Sequence, residues 1–168
     1  MSEQSTDPKA VVLALVLQEI HGTQQVLLGR KLTGFGAGNV VAPGGKVEPG
    51  ESARQAAARE LAEETSLNTP ADLLMHRATV RFRFPARPAS DMDCEVFTAN
   101  EFSGTPRPSS ELDARWFDVE DLPLDQMWQD ADHWLPKIIA GEQFTATVVM
   151  AEDNLGVQRV EFNDWQQP

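Results

Sequence analysis

Apolar residues in this chain fall into short runs separated by turn-forming residues, a pattern that predicts a β-rich fold. Residues 11–17 (VVLALVL) and residues 25–30 (QVLLGR) are predicted as two buried strands joined across the turn HGT. The polar residues 1–9 ahead of them are expected to form a disordered tail. Further strands are predicted near residues 73–84, 92–100, 113–119, 143–150 and 156–162.

Two segments carry the pattern of helices instead. Ser52 and Gln55 form a capping-box signature, and the alanine-rich run after Ser52 favours a helix to about Thr65. A second helix is predicted over residues 131–140, ended by Gly141. Proline and glycine in residues 40–51 are expected to break any regular element there. Because strands outnumber helices, the predicted fold class is α/β, a mixed sheet flanked by helices.

Chain length and apolar runs limit the kinds of protein to consider. With 168 residues, the chain is expected to form a single domain over residues 10–165. No apolar run approaches the roughly 18 residues that span a bilayer, so no membrane partner is expected. The single cysteine, Cys94, excludes an internal disulfide and fits a reducing cytoplasm. Its place in an apolar run favours a buried strand residue.

The charge balance bears on the kind of ligand. The chain has 14 Lys and Arg against 26 Asp and Glu, a net charge of -12, which disfavours a nucleic-acid partner held by general attraction. A polyanionic ligand would therefore need local cations or a bound metal ion.

Three glutamates lie close together in the first predicted helix, within the stretch RELAEETSL of residues 59–67. Glu60, Glu63 and Glu64 have helical spacings of three and four, so their side chains occupy one narrow arc. One interpretation is a solvated helix face on which Arg59 relieves part of the repulsion.

The loop before this helix favours a metal site over a solvated face. Gly44 and Gly45 allow close backbone approach, and their carbonyl oxygens can join carboxylates around Mg²⁺ or Mn²⁺, hard ions that prefer oxygen ligands. The glycine loop and the carboxylate helix together predict a metal cradle.

Residues 45–67, GKVEPGESARQAAARELAEETSL, combine these features in one spacing. The stretch resembles the Nudix box and departs from the family pattern only at Ser66, where the family has glycine. The resemblance implies the Nudix α/β/α sandwich with a mixed β-sheet, and hydrolysis of a nucleoside diphosphate linked to a further group. Because serine in a left-handed cap costs more than glycine, the departure is expected to affect how the helix ends.

The resemblance also implies a role for each functional position of the box. Glu60 and Glu64 would be inner ligands of a Mg²⁺ or Mn²⁺ cofactor, and Glu63 a nearby ligand or water-positioning group. Further implied positions are the Gly45 carbonyl as a ligand, Gly44 beside the substrate, and Arg59 with Glu51 as a salt bridge that orients the cluster.

Segments outside the box resemble the MutT-homologue subgroup of this family, which acts on 8-oxo-dGTP. The similarity covers about residues 11–162 and rests on LLGRK, GFGAG, part of RWFDVEDLP and MWQDADHWLP. Glu111, five residues before Trp116, matches an additional metal-associated glutamate and candidate base. The residues that match the nucleotide pocket are Lys31, Phe35, Phe82, Met92, Trp128 and Asp130. Val41 and Ala131 replace polar residues of that pocket, so weaker selection for 8-oxoguanine is expected.

The implied function is that of a Mg²⁺-dependent pyrophosphohydrolase that converts oxidised or modified purine triphosphates to monophosphate and pyrophosphate. The protein is expected to be a monomer or a weak homodimer. One alternative is a Nudix hydrolase of another nucleoside-diphosphate-linked substrate, although the chain lacks the tyrosine used by dinucleoside-polyphosphate hydrolases and the NADH-type motif SQPWPFPxS. Another is a non-catalytic nucleotide sensor, but such modules usually lose the glutamates that this chain retains.

Overall fold

The computed structural model describes residues 7–165, which form a mixed β-sheet with an α-helix on each face. In the described residues the strands are β1 (Lys9–Ile20), β2 (Thr23–Lys31), β3 (Val40–Val41), β4 (Gly44–Lys46), β5 (Met75–Arg83), β6 (Met92–Ala99), β7 (Leu112–Asp118), β8 (Phe144–Met150) and β9 (Val157–Asn163). The helices are α1 (Ala53–Thr65) and α2 (Ala131–Ile139), and short 3-10 turns cover Ala71–Leu73, Pro88–Ser90 and Leu124–Gln126.

The long strand β1 organises the sheet. Its N-terminal part pairs parallel with β6 and antiparallel with β4, and its C-terminal end pairs antiparallel with β2. The sheet has the order β3-β2-β1-β6-β5-β8-β9, while β7 pairs with β2. Parallel pairs (β1 with β6, β5 with β8) and antiparallel pairs occur side by side, so the predicted mixed sheet is confirmed.

Alternation along β1 divides the interior into two cores. Val12 and Ala14 point to one face and pack with Leu61 of α1. Leu15 and Leu17 point to the other face and pack with the apolar side of α2 and with Val26 and Leu28 of β2. The sheet therefore lies between two helices, and the predicted α/β/α sandwich is confirmed.

The prediction that residues 40–51 contain no regular element is wrong. β3 and β4 lie in this segment, one on each side of Pro43. Glycine makes the second strand possible, because a Cβ on Gly44 would lie 2.0 Å from the carbonyl oxygen of Val12 on β1. Glycine in this segment suggested a loop, but its lack of a side chain instead lets β4 approach β1.

Two strands begin at other residues than predicted. Lys9, assigned to the tail, is the first residue of β1, and residues 1–6 lie outside the described part of the chain. The predicted strand at residues 73–84 is shorter, since Leu73 belongs to a 3-10 turn. None of the helices in residues 7–165 is long and apolar enough to cross a membrane.

The ends of α1 follow the sequence closely. The Ser52 hydroxyl accepts from the Gln55 backbone N–H at 3.1 Å, and the Gln55 side chain accepts from the Ser52 N–H at 2.9 Å, so the capping box is confirmed. Ser66 ends the helix at φ 68° and ψ 8°, the left-handed conformation expected of this position.

Candidate active site

Three carboxylates meet at the edge of the sheet beside α1. Glu60 and Glu64 project from α1, and Glu111 lies directly before β7. One carboxylate oxygen of each residue lies within 4.8 Å of the other two. Like charges at this separation repel, and a bound cation would relieve that repulsion.

The local backbone holds the members of this carboxylate cluster in place. One turn of α1 separates Glu60 from Glu64 and places them on the same face. The Glu111 backbone is fixed where its carbonyl accepts from the Leu32 N–H at 2.9 Å, and where its own N–H donates to the Ser109 hydroxyl at 3.3 Å. The cluster thus joins the first helix to a segment far along the chain.

The glycine backbone of β4 forms one wall of the cluster. A Cβ on Gly45 would lie 2.5 Å from Oε1 of Glu60, so only glycine leaves room for the carboxylate. Gly44 donates a backbone hydrogen bond to Glu64. The wall presents polar backbone groups to the cluster, which suits a hard cation with oxygen ligands.

Burial has a large effect on Glu64, which is 7% exposed. Burial, together with the neighbouring Glu60 and Glu111 carboxyl groups, raises the pKa of this carboxyl to about 8, while the Gly44 N–H opposes the change. A bound divalent cation would oppose this shift, because its positive charge stabilises the ionised carboxylates. The residues therefore fit a metal site.

Arg59 ties the loop before α1 to the cluster. Its Nε donates to Oε2 of Glu51 at 2.8 Å and its Nη2 to Oε1 of the same carboxylate at 2.9 Å. Nη1 donates to Oε1 of Glu60 at 2.9 Å, and Nη2 also contacts the Lys46 carbonyl at 3.1 Å. The hydrogen bonds from Arg59 lower the pKa of Glu51, and in return the pKa of Arg59 is raised.

Glu63 lies outside the carboxylate cluster. Its side chain is 60% exposed and contacts Nη1 of Arg59 at 3.3 Å. A role as a metal ligand therefore stays a prediction, and the position favours a group that acts from the solvent side of the metal site.

Two aromatic rings at positions predicted for the nucleotide pocket lie together next to the N-terminus of α2. The rings of Phe35 and Trp128 stack with centroids 5.4 Å apart and planes at 22°. The loop between β2 and β3 lies against the indole, because a Cβ on Gly36 would be 2.5 Å from Cζ2 of Trp128. Nζ of Lys31 donates to the Phe35 carbonyl at 2.7 Å, so this lysine supports the same loop.

Asp130 is buried at the start of α2. Its Oδ2 accepts from the indole Nε1 of Trp134 at 2.7 Å. Burial raises the pKa of this carboxyl, while the hydrogen bond from Trp134 opposes the change. Trp134 was missed by the sequence analysis, although its helical spacing of four from Asp130 indicates such a contact.

The remaining pocket positions lie around the core on the α2 side. Phe82 and Met92 are cross-strand neighbours on β5 and β6, and both pack against that core while staying half-buried. Ala131 is buried in the same core, whereas Val41 packs against the core beneath α1. The structure thus brings Phe35 to Trp128 and Phe82 to Met92.

The fold and the carboxylate cluster define the class as α/β proteins able to hold a divalent metal ion. A family model described as NUDIX domain matches residues 7–138. The chain belongs to the Nudix family and is a Nudix hydrolase.

Several relatives are similar over most of the chain. A Danio rerio protein named oxidized purine nucleoside triphosphate hydrolase is 39% identical over 136 residues, which are 81% of this chain and 83% of the relative. A Mus musculus protein of the same name is 39% identical over 132 residues, covering 79% and 80%. The structure of a MutT protein from Bacillus halodurans is similar with a TM-score of 0.75 and 24% identity, covering 92% of this chain and 97% of that one. That likeness shows the fold alone.

Proposed function

We propose that the protein is a Mg²⁺-dependent nucleoside triphosphate pyrophosphohydrolase that acts on oxidised or modified purine nucleotides such as 8-oxo-dGTP. Its products are a nucleoside monophosphate and pyrophosphate, and its role is sanitation of the nucleotide pool. The observation that carries the proposal is the convergence of Glu60, Glu64 and Glu111 within 4.8 Å beside a glycine backbone. Relatives named as hydrolases of oxidised purine nucleoside triphosphates support the substrate class.

The carboxylate cluster would hold the cofactor. Glu60, Glu64, Glu111 and the Gly45 carbonyl are the proposed ligands of Mg²⁺ or Mn²⁺. When bound, the divalent ion supplies positive charge that offsets the phosphate charge and favours ionisation of the attacking water. Arg59 holds Glu60 in place while Glu51 anchors the guanidinium, so this pair orients the cluster. The polar backbone at Gly44 and Gly45 lies where the polyphosphate would approach.

The reaction itself needs a water molecule and a proton acceptor. Water adds to one phosphorus of the anhydride between the α- and β-phosphates, the anhydride bond breaks, and the water proton passes to a base. The two candidates for that base are Glu63, exposed on the solvent side, and Glu111, the exposed member of the cluster.

The aromatic part of the site would take the nucleobase. Trp128 and Phe35 offer stacking surfaces, and Asp130 keeps one carboxylate oxygen beyond the one bonded to Trp134. Met92, Phe82 and Lys31 complete the proposed pocket. Val41 and Ala131 provide no polar side chain. A missing hydrogen bond typically reduces the free-energy difference between matching and mismatched substrates by about 1 to 3 kcal/mol. Preference for 8-oxo-dGTP over dGTP is therefore expected to stay far below ten-thousandfold.

A panel of nucleoside triphosphates assayed with Mg²⁺ tests the proposal. Orthophosphate is measured with and without added inorganic pyrophosphatase, and we expect it only when that enzyme is present. Orthophosphate without it would mean that a nucleoside diphosphate is released and would refute the proposed bond cleavage. Nucleotide binding without turnover for every substrate would favour the nucleotide-sensor alternative.

A further inference from the structure

One arginine outside the proposed site joins its two aromatic segments. Arg30 lies near the end of β2, where Nη1 donates to the Gly38 carbonyl at 2.7 Å and Nη2 donates to Oε1 of Gln126 at 2.9 Å. Strand alternation places Arg30 on the same face as Val26 and Leu28, which pack in the core beside α2. The guanidinium therefore extends from the sheet toward the segment that leads into α2.

The two segments that Arg30 joins carry the stacked rings. Gly38 ends the loop that holds Phe35, and Gln126 ends the 3-10 turn two residues before Trp128. The loop has other hydrogen bonds, such as Gly38 N–H to the Lys31 carbonyl at 2.7 Å and Leu32 N–H to the Glu111 carbonyl at 2.9 Å, but neither of these reaches the Trp128 segment. The Arg30 fork instead bridges two segments, so it can fix where one ring lies relative to the other.

We propose that Arg30 is a positioning residue for the nucleobase pocket, holding the Phe35 loop and the Trp128 segment at one spacing through its paired hydrogen bonds. The inference rests on the proposed function, because it assumes that a nucleobase binds beside these rings. The fixed spacing reduces the ordering that a nucleotide must impose when it binds, so Arg30 acts on substrate affinity rather than on the chemical step.

The nature of the two acceptors separates this role from simple charge attraction. Gly38 offers a backbone carbonyl and Gln126 a neutral amide, so the contacts depend on the planar fork of the guanidinium. A positive charge near the pocket would also attract a triphosphate. Lysine in place of Arg30 keeps the positive charge but loses the planar pair of donors. Removal of the Gln126 amide breaks one of the two hydrogen bonds without changing the charge.

The test compares Arg30→Met, Arg30→Lys, Gln126→Met and the Arg30→Met/Gln126→Met double variant. We expect Arg30→Met and Gln126→Met each to raise KM for purine triphosphates about three- to tenfold with kcat within about twofold. The double variant should raise KM no more than Arg30→Met alone, because Arg30→Met already removes the contact between Arg30 and Gln126. In Arg30→Lys, most of the increase in KM seen in Arg30→Met should remain. Arg159→Met, which removes an arginine on β9 paired with Glu161 at 3.4 Å, is the matched control and should leave KM unchanged.

A measurement without substrate tests the same contact independently of turnover. Amide hydrogen exchange of residues 34–39 should be faster in Arg30→Met than in the parent protein, and unchanged in Arg159→Met. If the parent protein hydrolyses purine triphosphates but Arg30→Met leaves both KM and exchange unchanged, the positioning role is wrong and the proposed function stands. If Arg30→Lys restores KM fully, the arginine acts by charge and the positioning role is also wrong. If the parent protein binds no nucleotide, the proposed function fails, while faster exchange in Arg30→Met would still support the bridge.

Discussion

The carboxylate cluster and the aromatic pair of Phe35 and Trp128, the two parts of the proposed site, are built in different ways. The cluster is dense: Arg59 contacts both Glu51 and Glu60, and the Gly45 backbone leaves no space for a Cβ. The pocket rings are partly open, with Phe35 58% exposed and placed on a loop. The proposed metal-binding part is therefore preorganised, whereas the proposed base-binding part depends on contacts between separate segments.

The difference follows from how far apart in the sequence the residues of each part lie. Most of the cluster comes from one helix and the loop before it, so helical spacing and the capping box position it. The pocket combines the loop after β2, the middle of the sheet and the start of α2. Substitutions in the cluster should therefore change kcat, and substitutions in the proposed pocket should change KM.

The largest expected effect is that of Glu64→Gln. Replacing one carboxylate oxygen by an amide removes a ligand charge without changing side-chain volume, and metal ions supply several kcal/mol of transition-state stabilisation, so kcat should fall about a thousandfold or more. Circular dichroism should show an intact fold. Glu60→Gln should behave similarly, whereas Glu63→Gln, at an exposed position, is the matched comparison and should lose less. A Glu64→Gln protein with near-parental kcat at limiting Mg²⁺ would remove this residue from the metal site.

Trp128→Ala should have the next largest effect, and on the other part of the site. Stacking of a base on an aromatic ring is worth about 1 to 3 kcal/mol, so KM for purine triphosphates should rise about five- to a hundredfold while kcat changes little. Trp165→Ala is the control, because that ring packs edge-on against His76. Unchanged KM for every purine triphosphate would place the base elsewhere.

The pKa of Glu64 predicts a pH-dependent effect of Mg²⁺ on stability. Burial raises the pKa of this carboxyl from 4.5 to about 8, so the folded metal-free protein holds the proton more tightly than the unfolded chain does. Its contribution to stability is fully present below the lower value and is lost as pH rises through the upper one.

Mg²⁺ competes with that proton, so the gain in Tm on adding Mg²⁺ should be larger at about pH 8.5 than at about pH 6. Differential scanning fluorimetry at both pH values measures the gain, with Glu64→Gln as the control that should show a smaller and nearly pH-independent gain. An equal gain at both pH values in the parent protein would contradict the prediction.

The smallest expected effect concerns the end of α1. Ser66 has φ 68°, a conformation that glycine adopts without the steric cost of a Cβ. Ser66→Gly should therefore raise the free energy of unfolding by about 0.5 to 1 kcal/mol without changing kcat. Urea denaturation measures the change, and Ser110→Gly, at an exposed serine outside the helix whose φ is not positive, provides a comparison. A loss of stability in Ser66→Gly would show that the serine side chain contributes more than the strain it imposes.

Sequence patterns predicted most of the elements but missed the two short strands before α1. The apolar runs of β1, β2, β6 and β8 were located correctly, because alternation and turn residues are local properties. β4 was missed, since Gly44 and Gly45 have no strand propensity of their own, and β3 was missed because its two residues, Val40 and Val41, are too few to show alternation. Their pairing with β2 and β1 depends on close backbone approach, which appears only when the distant strand is in place.

The sequence by itself determined the helix that carries Glu60 and Glu64, both of its caps and the spacing of the Nudix box, because all of these act over one or two helical turns. Only the tertiary structure decided that Glu111 joins these glutamates while Glu63 faces solvent, and that Arg30 bridges Gly38 and Gln126. Such contacts connect residues far apart in the chain, and their geometry depends on how the strands and helices pack rather than on any local pattern.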